Sequence, residues 1–304
     1  MAATPSGPAT AIVTELAAGL RLYSVNGIDL IETFRAESTP PMGAGIVLVP
    51  WPNRIRDGVW SHHGTKLQLA LTEPARQNAI HGLLRFAPYR EVAHADDSVT
   101  LGATVFPQSG YPFHLDTEVT YALSADGLEV THVVRNVGST DAPVALGAHP
   151  YLKIGDVPTG DLVLRLAAET HIDVDARMNP IGETPVDGTR FDLRAGRRVD
   201  DLDLDDGFGA VTVRDCRGEH SLTAPDGSSV TLWGDENMRY VQVYTPRDFP
   251  VRGGGGVAAL GQAVAIEPMT APADAFNSGA GLRWLKPGEA WTVRWGIRHS
   301  GIGV

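Results

Sequence analysis

The sequence predicts an all-β protein, a large antiparallel β-sandwich with few short helices. Apolar residues recur with a period of two along most of the chain, whereas the 3.6-residue period of an amphipathic helix is rare. The chain contains 34 Gly and 21 Pro, which are scattered rather than periodic, as expected for many short strands joined by turns. It has 304 residues, 43% of them hydrophobic, and no segment that reads as a linker. We therefore predict a single domain over 1–304, with its core at about 11–299.

Turn signals place hairpins along the chain. Asp96-Asp97, Asp126-Gly127 and Asp226-Gly227 each separate two runs of alternating apolar and polar residues. Asp-Gly in that position is the strongest short hairpin signal. Each of the three segments is therefore predicted to be a pair of antiparallel strands.

Two later segments read as half-buried strands. In MRYVQVYTP, the side chains of Tyr240, Gln242 and Tyr244 alternate with apolar neighbours. WTVRWGIRH near the C-terminus places four apolar residues on one face: Trp291, Val293, Trp295 and Ile297. Between the two segments, the glycine-rich stretch 252–262 is followed by neither Gly-Lys-Ser/Thr nor a helix signal. We predict a mobile loop there rather than a phosphate-binding loop.

Charge and cysteine content restrict the partners and the compartment. The formal net charge is -11, so a nucleic-acid partner is not expected. Cys216 is the single cysteine, the N-terminal residues do not form an unbroken apolar run, and no window approaches about 18 consecutive apolar residues. We predict a cytoplasmic protein, a monomer or homodimer, without a membrane partner.

Polar residues that stand where strands end are the candidates for chemistry. His149 in GAHPY precedes Pro150, and Glu267 in AIEPM precedes Pro268, which places both candidates at the ends of strands and Glu267 at a sheet rim. Further candidates are Asn53, Arg54, His81, Tyr151, Arg85, Gln242, and an aspartate of LDLDDGF. Metal-ligand spacings such as His-x-His or a cysteine pair do not occur, and neither does Gly-x-Ser-x-Gly, so no metal site or serine nucleophile is predicted.

Five motifs carry a family resemblance, and they follow one another as NRI, NAIHG, GAHPY, VQVYTP and IEPMTAPADAFN. Together they resemble the aldose 1-epimerase (galactose mutarotase) family over roughly Ile12 to Arg298. The resemblance implies the supersandwich fold of galactose mutarotases, a small-molecule sugar as substrate, and no cofactor or metal. It implies anomer interconversion of an aldohexose by acid and base catalysis.

The same resemblance implies roles for single residues. His149 corresponds to the general acid and Glu267 to the general base. Asn53, Arg54, His81 and Gln242 correspond to sugar-binding residues. Asp205 matches best the family's aspartate, with Asp203 and Asp206 left open. Tyr151 packs against or hydrogen-bonds the site. A carboxylate and an imidazole suit this reaction, because ring opening removes a proton from the C1 hydroxyl and delivers one to the ring oxygen. We therefore expect an ionised Glu267 and a protonated His149 before opening.

Three other activities remain open at this stage. Arg85 lies in His-Gly-x-x-Arg, a spacing similar to that of hexose-6-phosphate 1-epimerases, and with Arg56 it could hold a sugar phosphate. The second alternative is a non-catalytic carbohydrate-binding protein on the same fold. In such a protein a set of tryptophans could stack on sugar faces: Trp51, Trp60 and Trp233. A glycoside hydrolase that pairs Glu267 with an aspartate is the third.

Overall fold

The computed structural model describes residues 2–4, 7–252 and 258–303. These residues form many short strands, four short 3₁₀ helices at Pro41–Gly43, Pro74–Arg76, Thr159–Asp161 and Val199–Asp201, and a one-turn helix α1 at Ala275–Ser278. The strands are β1 Ala2–Thr4, β2 Gly7–Val13, β3 Leu20–Val25, β4 Ile28–Asp29, β5 Val47–Leu48, β6 Arg54–Arg56, β7 Val59–His62, β8 Thr65–Gln68, β9 Asn78–Ile80, β10 Arg90–His94, β11 Ser98–Val105, β12 Leu115–Ser124, β13 Gly127–Asn136, β14 Ala142–Val144, β15 Gly147–Ala148, β16 Tyr151–Leu152, β17 Val163–Arg165, β18 Ala168–Val174, β19 Pro180–Pro185, β20 Arg197–Arg198, β21 Asp205–Val211, β22 Val213–Arg214, β23 Arg217–Thr223, β24 Ser229–Asp235, β25 Tyr240–Tyr244, β26 Phe249–Arg252, β27 Ala258–Gly261, β28 Val264–Met269, β29 Arg283–Leu285 and β30 Ala290–Ser300.

The larger sheet has ten strands in the order β10-β11-β12-β13-β30-β24-β23-β17-β20, with β22 paired to β23. All three predicted hairpins lie in it, as β10–β11, β12–β13 and β23–β24. The alternation predicted for β30 is also confirmed, because Trp291, Val293, Trp295 and Ile297 are buried while Thr292 and Arg294 are exposed. Period-two patterning therefore determines which face of this sheet is turned inward.

The second sheet has eight strands in the order β19-β18-β21-β25-β28-β15-β5, with β16 also paired to β28. All of the register pairs that join β18, β21, β25, β28 and β15 are antiparallel. A single hydrophobic cluster contains side chains from both large sheets, among them Val130, Val293, Val241 and Ile266. The two inner faces thus bury their apolar residues against each other, the arrangement of an antiparallel β-sandwich.

Smaller elements complete the fold. β1–β4 form a four-stranded sheet, and β6 pairs with β9 in a two-stranded ribbon. Residues 253–257 of the stretch predicted as a loop lie outside the described residues. Of the rest of that stretch, Arg252 and Ala258–Gly261 belong to strands β26 and β27, which pair with each other. No helix among the described residues is long and apolar enough to cross a membrane.

Candidate active site

A cavity of about 240 Å³ opens beside the centre of the eight-stranded sheet. Its volume lies just below the range of about 300–1,000 Å³ typical of small-molecule sites. Its walls contain seven of the residues predicted from the sequence: Asn53, Arg54, His81, His149, Asp205, Gln242 and Glu267. Residues far apart in the chain therefore converge around one small cavity.

Two of the lining residues belong to one row across three neighbouring strands. Glu267 on β28 is paired with Gln242 on β25, which is paired with Gly207 on β21. Residues paired across antiparallel strands point to the same face, so the carboxylate and the amide lie side by side. A Cβ at Gly207 would lie 3.1 Å from Gln242 Oε1, so the glycine leaves room for that amide.

The prediction that Glu267 lies at a strand end is wrong. β28 continues through Pro268 to Met269, and it is flanked by β25 on one side and by β15 and β16 on the other. Pro268 lies beside the interruption between β15, which ends at Ala148, and β16, which begins at Tyr151, although the Pro150 carbonyl there still accepts a hydrogen bond from the Ile266 N–H at 3.2 Å. Glu267 is therefore held in the interior of a sheet, where it is 2% exposed.

His149 lies in that interruption, as the strand-end prediction required. β15 ends at Ala148, and the backbone carbonyl of Ile46 accepts a hydrogen bond from the His149 N–H at 3.1 Å. The imidazole is 4% exposed, and its Nε2 lies 3.3 Å from Glu267 Oε1. The candidate acid and base thus contact each other.

The ribbon of β6 and β9 supplies the opposite side. Asn53 precedes β6 and His81 follows β9, both with positive φ, 53° and 63°. The Asn53 carbonyl accepts a hydrogen bond from the His81 N–H at 2.9 Å. Asp274 fixes the ribbon, because its N–H donates to the Arg54 carbonyl and its Oδ1 accepts from the Arg56 N–H. Left-handed backbone at two non-glycine residues indicates that this turn geometry is stabilised by its surroundings.

Four side chains, joined by two hydrogen bonds and one ion pair, form a group that we call the polar wall: Asn53, Gln242, Asp205 and Arg54. Asn53 Nδ2 donates to Gln242 Oε1 at 3.0 Å, and Gln242 Nε2 donates to Asp205 Oδ1 at 2.8 Å. Arg54 Nη2 lies 3.7 Å from Asp205 Oδ2. These contacts assign both amide orientations and direct the Gln242 amide donor to the carboxylate.

Glu73 supports the wall from behind and was not predicted from the sequence. Its carboxylate accepts two hydrogen bonds from Arg54, at 2.8 Å and 3.0 Å, and one from Arg76 at 3.0 Å. Burial opposes the charge of Arg54, but the hydrogen bonds that Arg54 donates to Glu73 and the charge of Asp205 raise its pKa above the usual value. Arg54 therefore keeps a fixed positive charge inside the cavity.

Burial dominates the electrostatics of the candidate acid and base. It lowers the pKa of His149 to about 4, with a further decrease from the charge of Arg54. It raises the pKa of Glu267 well above the usual value, with Asp205 adding to the increase and Arg54 opposing it. Both shifts favour the neutral forms, an unprotonated His149 and a protonated Glu267. The sequence predicts the ionised pair, with the proton on His149, at the stage just before ring opening.

His81 completes the acid–base group. Burial, and then the nearby His149 and Arg54, lower its pKa well below the usual value, so it is a neutral hydrogen-bonding group. Its ring meets that of His149 edge to face, with centroids 5.4 Å apart. One donor atom from each of His81, His149 and Glu267 lies within 4.8 Å of the others, a spacing that also suits a divalent metal. Sequence spacing could not reveal this, because the three residues come from separate motifs.

The structure does not bring every predicted residue into the cavity. Tyr151 is buried behind His149, stacks on its ring at 5.2 Å, and donates its hydroxyl to the Met42 carbonyl at 3.3 Å. Arg85 donates to the Thr72 carbonyl at 3.2 Å and lies over the Phe86 ring. Neither lines the cavity wall.

The aspartates of LDLDDGF separate by the pleat of β21. Asp205 faces the cavity, Asp206 points to the opposite face and lies 2.8 Å from His171 Nε2, and Asp203 is exposed ahead of the strand. Arg56 also lies outside the wall, 3.5 Å from Asp175. The tryptophans considered for sugar stacking, Trp51, Trp60 and Trp233, are buried in the protein.

Sequence reasoning missed several lining residues: Met42, Glu73, Arg76, Ile80 and Tyr244. Period two would have found Tyr244, because it lies two residues beyond Gln242 on the same face of β25. A larger cleft of about 910 Å³ lies elsewhere, over His62 and Trp284. Among the residues that the structure describes, its lining contains no contacting acid–base pair like that of His149 and Glu267, so we do not take it as the candidate active site.

Comparison with known proteins agrees with this geometry. The family model described as aldose 1-epimerase matches residues 10–298. The chain is 33% identical over 286 residues to the uncharacterized protein YihR of Escherichia coli K12, covering 93% of this chain and 88% of the relative. A structure of a GalM/aldose epimerase homologue from C. elegans superposes with a TM-score of 0.84 at 20% identity, covering 99% of this chain and 98% of that one.

A structure of galactose 1-epimerase from Lactobacillus acidophilus superposes with a TM-score of 0.75 at 21% identity, covering 96% of this chain and 92% of that one. At these identities the structural matches establish the fold, and the match of the family model over nearly the whole chain establishes the family. The chain belongs to the aldose 1-epimerase family.

Proposed function

We propose that this protein is an aldose 1-epimerase that interconverts the α and β anomers of a free aldohexose. One observation carries the proposal: His149 Nε2 and Glu267 Oε1 lie 3.3 Å apart in the wall of a cavity of about 240 Å³. A proton donor and a proton acceptor in one small cavity are what ring opening and closure need. The family membership supports the same reaction class.

The reaction balances with one acid and one base. Glu267 accepts the proton of the C1 hydroxyl while His149 donates a proton to the ring oxygen, and the bond between C1 and the ring oxygen breaks. The product is the open-chain aldehyde with a free C5 hydroxyl. Rotation about the C1–C2 bond exposes the other carbonyl face, and closure returns both protons. Acid and base are restored, so the enzyme requires no other reactant.

The starting tautomer has the same number of protons as the empty site. Moving one proton from Glu267 to His149 converts the neutral pair into the ionised pair without changing its net charge. A sugar hydroxyl that donates to Glu267 stabilises the carboxylate, and the charge of Arg54 acts in the same direction. We infer that substrate binding drives this proton shift.

Unpartnered polar atoms support a hydroxyl-rich ligand. Among the described residues, His81 Nδ1, His149 Nδ1 and Glu267 Oε2 are buried without a hydrogen-bond partner in the protein. A buried polar atom without a partner costs free energy, and sugar hydroxyls both donate and accept hydrogen bonds. Arg54 and Asp205 add a charged donor and acceptor to the wall.

The contacts favour a free sugar over a sugar phosphate. Arg85 and Arg56, the arginines considered for phosphate binding, lie outside the cavity wall. Arg76 lines it, but Nη1 of that residue is 3.0 Å from Glu73. Arg54 is likewise held by Glu73 and Asp205. The cavity thus offers no guanidinium free of carboxylates among its described residues.

Polarimetry on freshly dissolved α-D-glucose, α-D-galactose and glucose 6-phosphate tests the proposal. Wild type should accelerate equilibration of at least one free aldose above the spontaneous rate. His149→Asn and Glu267→Gln should each lower the enzymatic rate by about 10²–10⁴-fold. The matched controls are His94→Asn and Glu118→Gln, at exposed positions outside the cavity, which should retain the wild-type rate.

Other results would reject the proposal in distinguishable ways. Acceleration of glucose 6-phosphate alone would assign the sugar-phosphate reaction instead. Sugar binding without anomerisation, retained in Glu267→Gln, would indicate a binding protein. Release of reducing sugar from an oligosaccharide would indicate a glycoside hydrolase, since an epimerase cannot break a bond between sugars.

A further inference from the structure

A further cleft, of about 430 Å³, lies away from the candidate catalytic cavity, and their described lining residues do not overlap. It is formed where β17, β22, β23 and β30 of the ten-stranded sheet meet β18 of the eight-stranded sheet. Its most distinctive feature is a concentration of arginines in a chain of net charge -11: Arg165, Arg194, Arg214, Arg217 and Arg298.

Two of the five guanidiniums are neutralised by protein carboxylates. Arg194 contacts three of them, including Glu169 of the cleft itself. Arg298 lies 3.3 Å from Glu219, which also lines the cleft. Arg165 donates through Nε to the Arg194 carbonyl at 2.9 Å, a contact that leaves its charge uncompensated.

The other two guanidiniums lie on one tight hairpin. Among the described residues, no carboxylate lies within 4.0 Å of the side-chain nitrogens of Arg165, Arg214 or Arg217. Asp215 is the one further carboxylate in the lining. Counted with Asp187 and Asp192, which bind Arg194, five carboxylates balance the five arginines, so the cleft offers three guanidiniums left unpaired by the described residues rather than a net surplus of charge.

The hairpin keeps two like charges in direct opposition. Arg214 on β22 is paired with Arg217 on β23, across a turn made by Asp215 and Cys216. Like charges at directly opposed positions destabilise a sheet. Both turn residues have positive φ, 48° and 63°, which is uncommon for cysteine. An anion held between the two guanidiniums would offset this repulsion.

The indole of Trp233 positions the arginines beside it. The Arg217 guanidinium carbon lies 4.3 Å above the Trp233 ring centroid, and that of Arg298 lies 5.8 Å away. A Cβ at position 296 would lie 2.6 Å from Trp233 Nε1, so Gly296 leaves the space in which the indole lies. Stacking on an aromatic ring restricts a guanidinium before any ligand arrives.

We propose that this cleft binds the phosphate dianion of a small phosphorylated ligand, at a site separate from the sugar cavity. A phosphate monoester carries about -1.5 to -2 charges at neutral pH, which suits a site with three guanidiniums that have no carboxylate partner among the described residues. Its oxygens pair with guanidinium N–H groups in bidentate geometry, which fits arginine better than lysine. The proposal does not depend on the epimerase reaction.

Calorimetric titration of the full chain at about pH 8 and constant ionic strength tests it, first with inorganic phosphate and then with glucose 6-phosphate. Wild type should bind inorganic phosphate. Arg214→Gln and Arg217→Gln should each weaken binding about tenfold or more, as expected for loss of one charged hydrogen-bonding partner. Arg90→Gln, an exposed arginine on β10 that changes net charge equally, should bind within about twofold of wild type.

The outcomes separate clearly. Tighter binding of glucose 6-phosphate that is weakened by both cleft variants identifies an organic phosphate as the ligand, and equal binding identifies the phosphate group alone. No phosphate binding by wild type, or equal binding by the cleft variants and Arg90→Gln, overturns the proposal. Thermal unfolding and the sugar-equilibration rate show whether the variants remain folded. If Arg217→Gln is unstable, Arg214→Gln still tests the proposal, because Arg214 is exposed and its substitution should not disturb the fold.

Discussion

Location of the proton shared by His149 and Glu267 is the most direct test of the site's electrostatics. Burial lowers the pKa of His149 to about 4, against an ordinary histidine value near 6.5. At about pH 5.5 an imidazole of pKa 4 is about 3% protonated, whereas one of pKa 6.5 is about 90% protonated. The unliganded protein at that pH should therefore contain a neutral His149.

The Glu267→Gln variant tests whether burial or pairing with an ionised Glu267 sets the pKa of His149. Because burial, rather than Glu267, is the main cause of the low pKa, His149 in Glu267→Gln should still titrate near 4. If His149 were instead charged and paired with an ionised Glu267, removal of that carboxylate would lower its pKa by one unit or more, about 1.4 kcal/mol per unit.

Histidine NMR titration of the wild type and the variant measures this directly, with His149→Asn to assign the signal. Titration of His149 near 6.5 in the wild type, followed by a fall in Glu267→Gln, would refute the reasoning from burial. In the wild type the sugar-equilibration rate should also fall below about pH 4, because protonation of His149 then leaves the pair with two protons and no base.

Three further outcomes follow from contacts already described. Glu73→Gln weakens the support of Arg54, so the KM of the best aldose should rise about tenfold with a smaller change in kcat, and an unchanged KM would contradict a positioning role. Gly82→Ala should lower the free energy of unfolding, measured by urea titration, by about 2 kcal/mol or more relative to Gly27→Ala. Both glycines have φ near +77°, but a Cβ at position 82 would lie 2.0 Å from a backbone oxygen, whereas a Cβ at position 27 would have nothing within 4 Å. His132 is buried with its pKa lowered to about 4, so the folded state loses stability as pH falls from about 6.5 toward 4, by about 1.4 kcal/mol per pH unit, and His132→Gln should reduce that slope; equal slopes in urea unfolding at several pH values would count against it.

Local patterns in the sequence predicted the strands well because each strand has one buried face. The Asp126-Gly127 and Asp226-Gly227 hairpins and the buried face of β30 depend on turn chemistry and period-two alternation, which act over a few residues. Glu267 was placed at a strand end because Pro268 normally ends a strand. The interruption in the neighbouring strand beside the proline is a long-range feature.

Residues of the site were predicted unequally for the same reason. His149, Glu267 and Gln242 stand in motifs that the resemblance recognises as units. Glu73 acts on Arg54 through a contact between distant segments, which no spacing rule contains. The position of the proton on Glu267 also depends on burial from several strands, and burial becomes measurable only in three dimensions.

The amide of Gln242 is donor to one neighbour and acceptor from another, so the polar wall has a single consistent direction from Asn53 to Asp205. A single substitution at Asn53 or Asp205 leaves a buried polar atom of Gln242 without its hydrogen-bond partner. A second, compensating substitution restores the hydrogen bonds. Within related enzymes, amino-acid changes at these positions are therefore expected to arise jointly. A library that varies them one at a time would miss the combinations able to accept a differently substituted sugar.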